Sequence, residues 1–378
     1  MGMDDRVVRT GLLAGLVAVL LASALAFAAP AWAQNDEDGG ATPLPTAPGY
    51  VAPDPAAWIL VDADTGAVLS GSNDRVPTLP GSTIKLLTAL VAVQRIPAGD
   101  LVPISARAEA MPARKINVKA GQAWRRDDLL QSMLLVSAND AAVALAERVG
   151  GGSLADWETI ANQTAVALGL EDTPDLSDPA GLDDEFSNGA GSHISARDLA
   201  IVARAFIADP QLAQIAVTTE YRFDGGDGNP HRLTNHNRFF QLYPGAIGLK
   251  TGMTERAGRC FVGAARRDGR TMLIVMFGAP DIYNSAARFL DQGFATPVSA
   301  QAGLDHLPSV VAGAALDPPA RVPGALDATV AQLGRGRSGF NWNSPLGATA
   351  LIALGTAPAL ALRRRLVVRP PAPGTERS

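Results

Sequence analysis

Cysteine occurs once in these 378 residues, as Cys260, which excludes an intramolecular disulfide and a cysteine-built zinc site. It stands in an apolar, strand-like run, so it reads as a small buried hydrophobe rather than a nucleophile. Histidine is sparse too: His193, His231, His236 and His306 lack the spacing of metal ligands, and the acidic residues form no such cluster. No metal or other cofactor is therefore expected. An excess of positive charge is also missing. The formal net charge is −5 and no basic stripe interleaves with aromatics, which argues against nucleic acid. Lysine is scarce: Lys85, Lys115, Lys119 and Lys250 are the full set, and arginine is used elsewhere. Arginine stays protonated in a protein, whereas burial or a neighbouring cation moves the pKa of a lysine. Where this chain keeps a lysine, a chemical reason is worth seeking.

Two of the four fall inside short motifs. Ser82 and Lys85 lie three residues apart at the head of the apolar segment 80–90, so in a helix they share a face. A serine hydroxyl is a weak nucleophile until its proton is removed, and an amine removes it only when held neutral. Taken alone, Ser82 fits a helix N-cap equally well. Ser137-Ala138-Asn139-Asp140 stands at a junction of two helices and also reads alone as a cap. Lys250-Thr251-Gly252 ends an apolar strand, as a glycine turn would. Together, in this order and on these elements, the three form the set found in penicillin-binding proteins and class A β-lactamases. If the fold brings the two lysines together, both cannot stay charged cheaply, which favours a neutral base.

The surrounding pattern predicts the frame. Apolar runs at 57–62 and 67–70 flank an Asp-x-Gly turn and predict a β-hairpin. A helix from Ser82 to about Arg95 follows, then a mainly helical block from Ser105 to Asp209. Strand character returns after Glu220, with runs at 245–252, 259–266 and 271–277, the last two joined by the Asp268-Gly269 turn. A helix over about 282–294 ends the pattern. Two strands, a helical block, three strands and a helix predict an α+β fold. It has one five-stranded antiparallel sheet, with the block inserted between the second and third sheet strands.

On these residues the chain resembles the serine D-alanyl-D-alanine carboxypeptidases, the low-molecular-mass penicillin-binding proteins of peptidase family S11. The resemblance runs from about Ala57 to Phe294 and includes 60–66, Gly181-Leu182-Asp183, 195–200, 234–238 and 248–252. It implies a β-lactamase/transpeptidase-like fold with a site between sheet and helical block. Ser82 would attack the carbonyl between two D-alanines of a peptidoglycan stem peptide while neutral Lys85 takes its proton. Ser137 and Lys250 would relay a proton to the leaving amine, and Asn139 would hold Lys85 and the substrate backbone. Lys250, Thr251 and Gly252 would bind the substrate along their strand, with Thr251 helping to hold its terminal carboxylate. The oxyanion would sit between the backbone N–H groups of Ser82 and Met253. β-Lactams would acylate the same serine. Asp178 stands where relatives tend to have Asn, so the bonding of that loop is expected to differ. His236 and the segment 278–281 lack the arginine that relatives use for the terminal carboxylate, which leaves Arg238 as the candidate. A β-lactamase using Glu171, a DD-endopeptidase and a catalytically inactive tethered binding protein are the alternatives.

The ends read as targeting segments. Residues 1–33, with Arg6 and Arg9 ahead of the apolar run 11–29 and Ala31-Trp32-Ala33 behind it, match a signal peptide. Residues 34–55 read as a flexible lead-in, 56–296 as the catalytic domain and 297–344 as a Pro/Gly/Ala-rich stalk. Residues 345–362 carry no charge and precede Arg363-Arg364-Arg365, so they read as a transmembrane helix with a cytoplasmic basic tail, 363–378. The expected protein is exported, with its catalytic domain outside the cytoplasmic membrane.

Overall fold

The computed structural model describes residues 51–310. In chain order its strands are β1 (Ala57–Asp62), β2 (Val68–Ser72), β3 (Leu101–Pro103), β4 (Ala123–Arg125), β5 (Glu220–Asp224), β6 (Pro230–Thr234), β7 (Ala246–Thr254), β8 (Gly258–Arg267) and β9 (Arg270–Phe277). Its α-helices are α1 (Lys85–Arg95), α2 (Ala106–Ala110), α3 (Arg126–Leu135), α4 (Asn139–Val149), α5 (Leu154–Leu168), α6 (Ala196–Ala208), α7 (Pro210–Ala216), α8 (Phe239–Leu242) and α9 (Ile282–Ala295). The main sheet has five strands in the order β2-β1-β9-β8-β7, every neighbouring pair antiparallel. That is the expected sheet, with the helical block leaving after β2 and rejoining at β7.

Local chemistry sets the two ends of this path. In the first hairpin, Asp62 Oδ1 accepts the N–H groups of Asp64 and Thr65, and Gly66 turns the chain at φ +82. Between β8 and β9, Asp268 and Gly269 both take positive φ, at 50° and 77°. That suits the two-residue turn that matches strand twist. Strand β1 comes first in the chain yet lies inside the sheet, because β9 returns to pair along its whole length, Ile59 opposite Val275.

Side chains alternate across the sheet. Ile59, Val61, Leu273 and Val275 join the core under the helical block, whereas Leu60, Met272, Ile274 and Met276 join the core under α9. A strand covered on both faces needs apolar residues at every position, hence the unbroken runs at 57–61 and 272–277. Each such Val, Ile or Leu contributes about 1.5–3 kcal/mol by leaving water. Helix α9 seats Phe289 on Trp58, ring centres 4.1 Å apart. Gly293 lets the helix approach Met272, whose Sδ would lie 2.9 Å from an added Cβ. On the other face α1 runs through the middle of the block, with Lys85 to Ala92 buried without interruption.

Three features differ from the sequence reading. Short strand β4 lies inside the stretch expected to be mainly helical and pairs with β3 just ahead of it, because Pro97 and Gly99 end α1 and Trp124 must reach the core. Strands β5 and β6 pair only with each other, away from the main sheet, and their exposure alternates as expected of a one-sided hairpin. The chain also stays on the domain past residue 296. Gln301 Nε2 donates to Asp62 Oδ2 at 2.8 Å, Leu307 is buried, and Arg204 Nη1 donates to Pro308 O at 2.6 Å. The boundary expected at 296–297 is therefore corrected: 297–308 belong to the folded unit, and so does Ala52 at its start. The expected signal peptide, the rest of the stalk, the transmembrane helix and the basic tail lie outside the described residues. Among the described residues no single helix is long and apolar enough to cross a membrane.

Candidate active site

The serine of the first motif sits in a 3-10 turn, Gly81–Ile84, that feeds directly into α1. A 3-10 turn has three residues per turn, so residues i and i+3 eclipse each other. Ser82 and Lys85 are thus stacked, and Lys85 Nζ lies 2.7 Å from Ser82 Oγ. Lys85 is fully buried, and Ser82 is 7 % exposed. The amine also donates to Asn139 Oδ1 at 2.9 Å and to Ala180 O at 2.6 Å. A neutral amine has two N–H donors and one lone pair. These three contacts fit such an amine, donating twice and accepting from the serine hydroxyl, and fit equally an ammonium donating three times.

Each of those acceptors is fixed from behind. Asn139 opens α4, and its Nδ2 donates to Pro112 O and Ala113 O, both at 3.2 Å, which sets its oxygen toward Lys85. The next residue, Asp140, is fully buried and accepts N–H bonds from Ile116, Val118 and Ala141. It thereby ties segment 112–118 to the start of α4. Burial pushes its carboxyl above the ordinary carboxylate value, with the backbone donors opposing. Ala180 O is held by Asp178, whose Oδ1 accepts from the N–H groups of Ala180, Gly181 and Leu182 and whose Oδ2 accepts from Asn188. Asp178 too is raised by desolvation, against those same donors. An asparagine would present an NH2 where Oδ2 accepts the Asn188 N–H. Thr88 Oγ1 adds a 2.7 Å bond to Pro179 O.

The second serine is placed by an unusual backbone. Ser137 takes φ +60 between α3 and α4, a conformation that a non-glycine residue rarely adopts. Its Oγ then lies 3.0 Å from Lys250 Nζ, which also donates to Thr251 O at 2.9 Å. Ser137, Lys250 and Thr251 are all buried. The three motifs, far apart in sequence, thus form one hydrogen-bonded site between α1, the α3–α4 junction and β7.

Glycines make the close approach. An added Cβ at Gly252 would lie 2.8 Å from Ser82 N and 3.0 Å from Thr83 N, and one at Gly81 would lie 3.2 Å from Met253 N. Strand β7 and the serine turn therefore meet backbone to backbone, with the amide of Ser82 beside Gly252 and that of Met253 beside Gly81. Gly181, at φ +78, is tighter still: its Cβ would lie 1.9 Å from Gly81 O. Behind the turn, Cys260 Sγ lies 3.8 Å from Leu79 O, and burial pushes its thiol up to about 12, as suits an inert filler.

Two expected residues stand apart. Arg238 precedes α8 and is exposed; its backbone N–H donates to Tyr283 Oη, and among the described residues its side chain makes no hydrogen bond to the motifs. Glu171, which a class A β-lactamase reading would place over the serine, instead bonds Arg75 and Arg197. Sequence reasoning overlooked the support from Asp178 and Ala180 O, and also the contacts of Asp183, which accepts from Thr254 Oγ1 at 2.6 Å and, through its carbonyl, from Arg256 Nη1 at 2.9 Å. The proximity of Asp178 to Gly181-Leu182 was the available signal. Among the described residues no group of three or more His, Cys, Asp or Glu is placed to hold a metal ion.

Residues 46–281 match the model of the Peptidase S11 family, described as D-alanyl-D-alanine carboxypeptidase. The chain is 36% identical over 281 residues to the D-alanyl-D-alanine carboxypeptidase DacB2 of Mycobacterium tuberculosis, covering 72% of this chain and 91% of that relative. It is 30% identical over 226 residues to DacF of Bacillus subtilis, covering 58% of this chain and 56% of DacF. Among solved structures, a D-alanyl-D-alanine carboxypeptidase of Mycobacterium tuberculosis superposes with TM-score 0.61 at 34% identity, covering 70% of this chain and 98% of that one. A variant of a Streptomyces DD-transpeptidase gives TM-score 0.58 at 26% identity, over 65% of this chain and all of that one (100%).

Proposed function

The chain belongs to the Peptidase S11 family of D-alanyl-D-alanine carboxypeptidases, and from that premise we propose that Ser82 is its acyl-ester nucleophile and Lys85 the base that activates it. The protein is a serine peptidase that removes the terminal D-alanine from stem peptides ending in D-Ala-D-Ala. One observation carries the assignment of roles: Lys85 Nζ lies 2.7 Å from Ser82 Oγ while Asn139 Oδ1 and Ala180 O take its N–H groups.

The reaction follows from that geometry. Ser82 Oγ bonds to the carbonyl carbon of the penultimate D-alanine as its proton passes to Lys85 Nζ. The step requires Lys85 in its neutral form, whose lone pair accepts the proton. The carbonyl oxygen, now negative, meets the N–H groups of Ser82 and Met253, a contact worth about 3 kcal/mol in comparable acyl-transfer sites. On collapse the C–N bond breaks, and the leaving amine takes a proton through Ser137 with Lys250 behind it. Water then cleaves the Ser82 ester. A penicillin opens its ring amide in the same first step, but its amine stays tethered to the acyl group.

Release of D-alanine from an N-acylated peptide ending in D-Ala-D-Ala tests this, with Ser82→Ala as control. Release by the wild type and none by the variant is expected; equal release by both would exclude Ser82. The location we propose is outside the cytoplasmic membrane, tethered by 345–362 and exported by the leader. The charge-free run 345–362 followed by Arg363-Arg364-Arg365, and Arg6 and Arg9 ahead of the leader's apolar run, support it. Carbonate-resistant membrane association lost on truncation at residue 340 is the expected result.

A further inference from the structure

Three pieces of backbone meet around Ser82: the serine turn Gly81–Ile84, the end of β7, and the loop at 178–183. Two of the three contacts are made by glycines. Gly181 lies against Gly81 O, Gly252 against the backbone nitrogens of Ser82 and Thr83, and Gly81 against Met253 N. Steric contacts of this kind limit how closely the pieces approach, but do not stop them from parting. The third contact, between the loop and β7, is bonded. Asp183 Oδ2 accepts the Thr254 hydroxyl at 2.6 Å, and Asp183 O accepts Arg256 Nη1 at 2.9 Å. A carboxylate acceptor makes the hydroxyl bond charge-assisted, about twice as strong as a neutral pair. It joins the loop to the strand one residue after Met253.

Both partners are themselves fixed. Asp183 follows the amides of Gly181 and Leu182 that Asp178 collects, and Gly191 packs against its Cα. Thr254 Oγ1 also accepts Ala257 N–H at 2.9 Å, so it closes the β7–β8 turn, and Arg256 reaches Asp183 from that same turn. Asp183 thus grips the turn at two points. In the main sheet β7 lies at the edge, paired with β8, so the sheet does not fix how close β7 stays to the serine turn. A catalytic donor has to be held to about 0.5 Å of its productive position, and Asp183 supplies that restraint where the glycine contacts do not.

We infer that Asp183 is a positioning residue for the Ser82 reaction: through Thr254 it holds the Met253 N–H against the serine turn, where the oxyanion forms. This rests on the peptidase reading above. The test measures kcat and KM for D-alanine release from a D-Ala-D-Ala peptide. Beside it runs inhibition by a peptide boronic acid, whose tetrahedral adduct on Ser82 puts an oxygen at the oxyanion position. Asp183→Ala lowers kcat and kcat/KM equally, by about 10- to 100-fold, because what is lost acts only in the transition state. Affinity for the boronic acid falls by the same factor. Asp183→Asn keeps an oxygen for the Thr254 hydroxyl and recovers most of the loss. Thr254→Val falls at least as far, since Thr254 also closes the turn, and adding Asp183→Ala to it causes no further loss. Should Asp183→Ala fail to fold, Thr254→Val and Asp183→Asn read the same bond. Unchanged kcat in Asp183→Ala would overturn the inference, as would a rise in KM alone, which marks a contact to bound substrate. So would an Asp183→Asn variant as impaired as Asp183→Ala, or losses that add in the double variant. No release by the wild type would defeat the peptidase reading and this inference with it. Wild-type release that neither substitution lowers would defeat the inference alone.

Discussion

Lys85 has a role that charge alone does not fill. If it were only a positive charge near Ser82, arginine would substitute, yet arginine cannot surrender its proton to serve as a base. Lys85→Arg should lower penicillin acylation at least about 1,000-fold, near the upper part of the range for general-base catalysis. Stopped-flow acylation measures this, and a rate within tenfold of wild type would exclude the role. Asp178 supports Lys85 from one residue away, and its raised pKa has a thermodynamic sign. A carboxyl raised in the folded state binds its proton more tightly there than in the unfolded chain. Its favourable contribution is full below the unfolded value of 3.8 and is lost as pH rises through the folded value. Urea unfolding of wild type and Asp178→Asn between pH 4 and 7 should therefore show the wild type losing ground to the variant as pH rises. The opposite slope would mean that the four backbone N–H bonds outweigh burial.

At the scale of elements, the site is a meeting of the 3-10 turn, strand β7 and the loop at 178–182, and glycine permits it. Gly181→Ala puts a methyl group 1.9 Å from Gly81 O at a positive φ, so the loop must retreat and take Ala180 O away from Lys85. The strain alone costs about 1–3 kcal/mol. Acylation should fall more than stability does, and retention of both would show that the loop does not position the lysine. This explains how far the sequence could be read. The sheet, its insertion point and the helices were legible because apolar runs, the Asp-Gly turn and helical periodicity are local. The motif residues were legible because their types and order are distinctive. The contacts that hold them were not, because they run through backbone atoms: Ala180 O, Pro112 O, and the amides that Asp140 and Asp178 collect. Glycine spacing marks a turn, but not which backbone will arrive beside it.

For the whole molecule, the chain after α9 is part of the domain. Arg197 and Arg204, buried in α6, hold Asp305 and Pro308 O, and Gln301 reaches Asp62. Although burial opposes it, bonds from Gln301 and Arg270 hold the Asp62 carboxyl below its ordinary value. A fragment ending at 310 should be stable and active. One ending at 296 loses Leu307 burial, about 1.5–3 kcal/mol, and leaves Asp62 with one fewer donor, so its melting temperature should drop by several degrees. Equal melting of the two would mean that the tail is only draped on the surface. The most direct test of the whole account is the intact mass of the 51–310 fragment after penicillin, followed by peptide mapping. The prediction is one covalent adduct, located on the peptide carrying Ser82 and absent from Ser82→Ala and Lys85→Arg. An adduct on another serine, or one that survives Ser82→Ala, would contradict it.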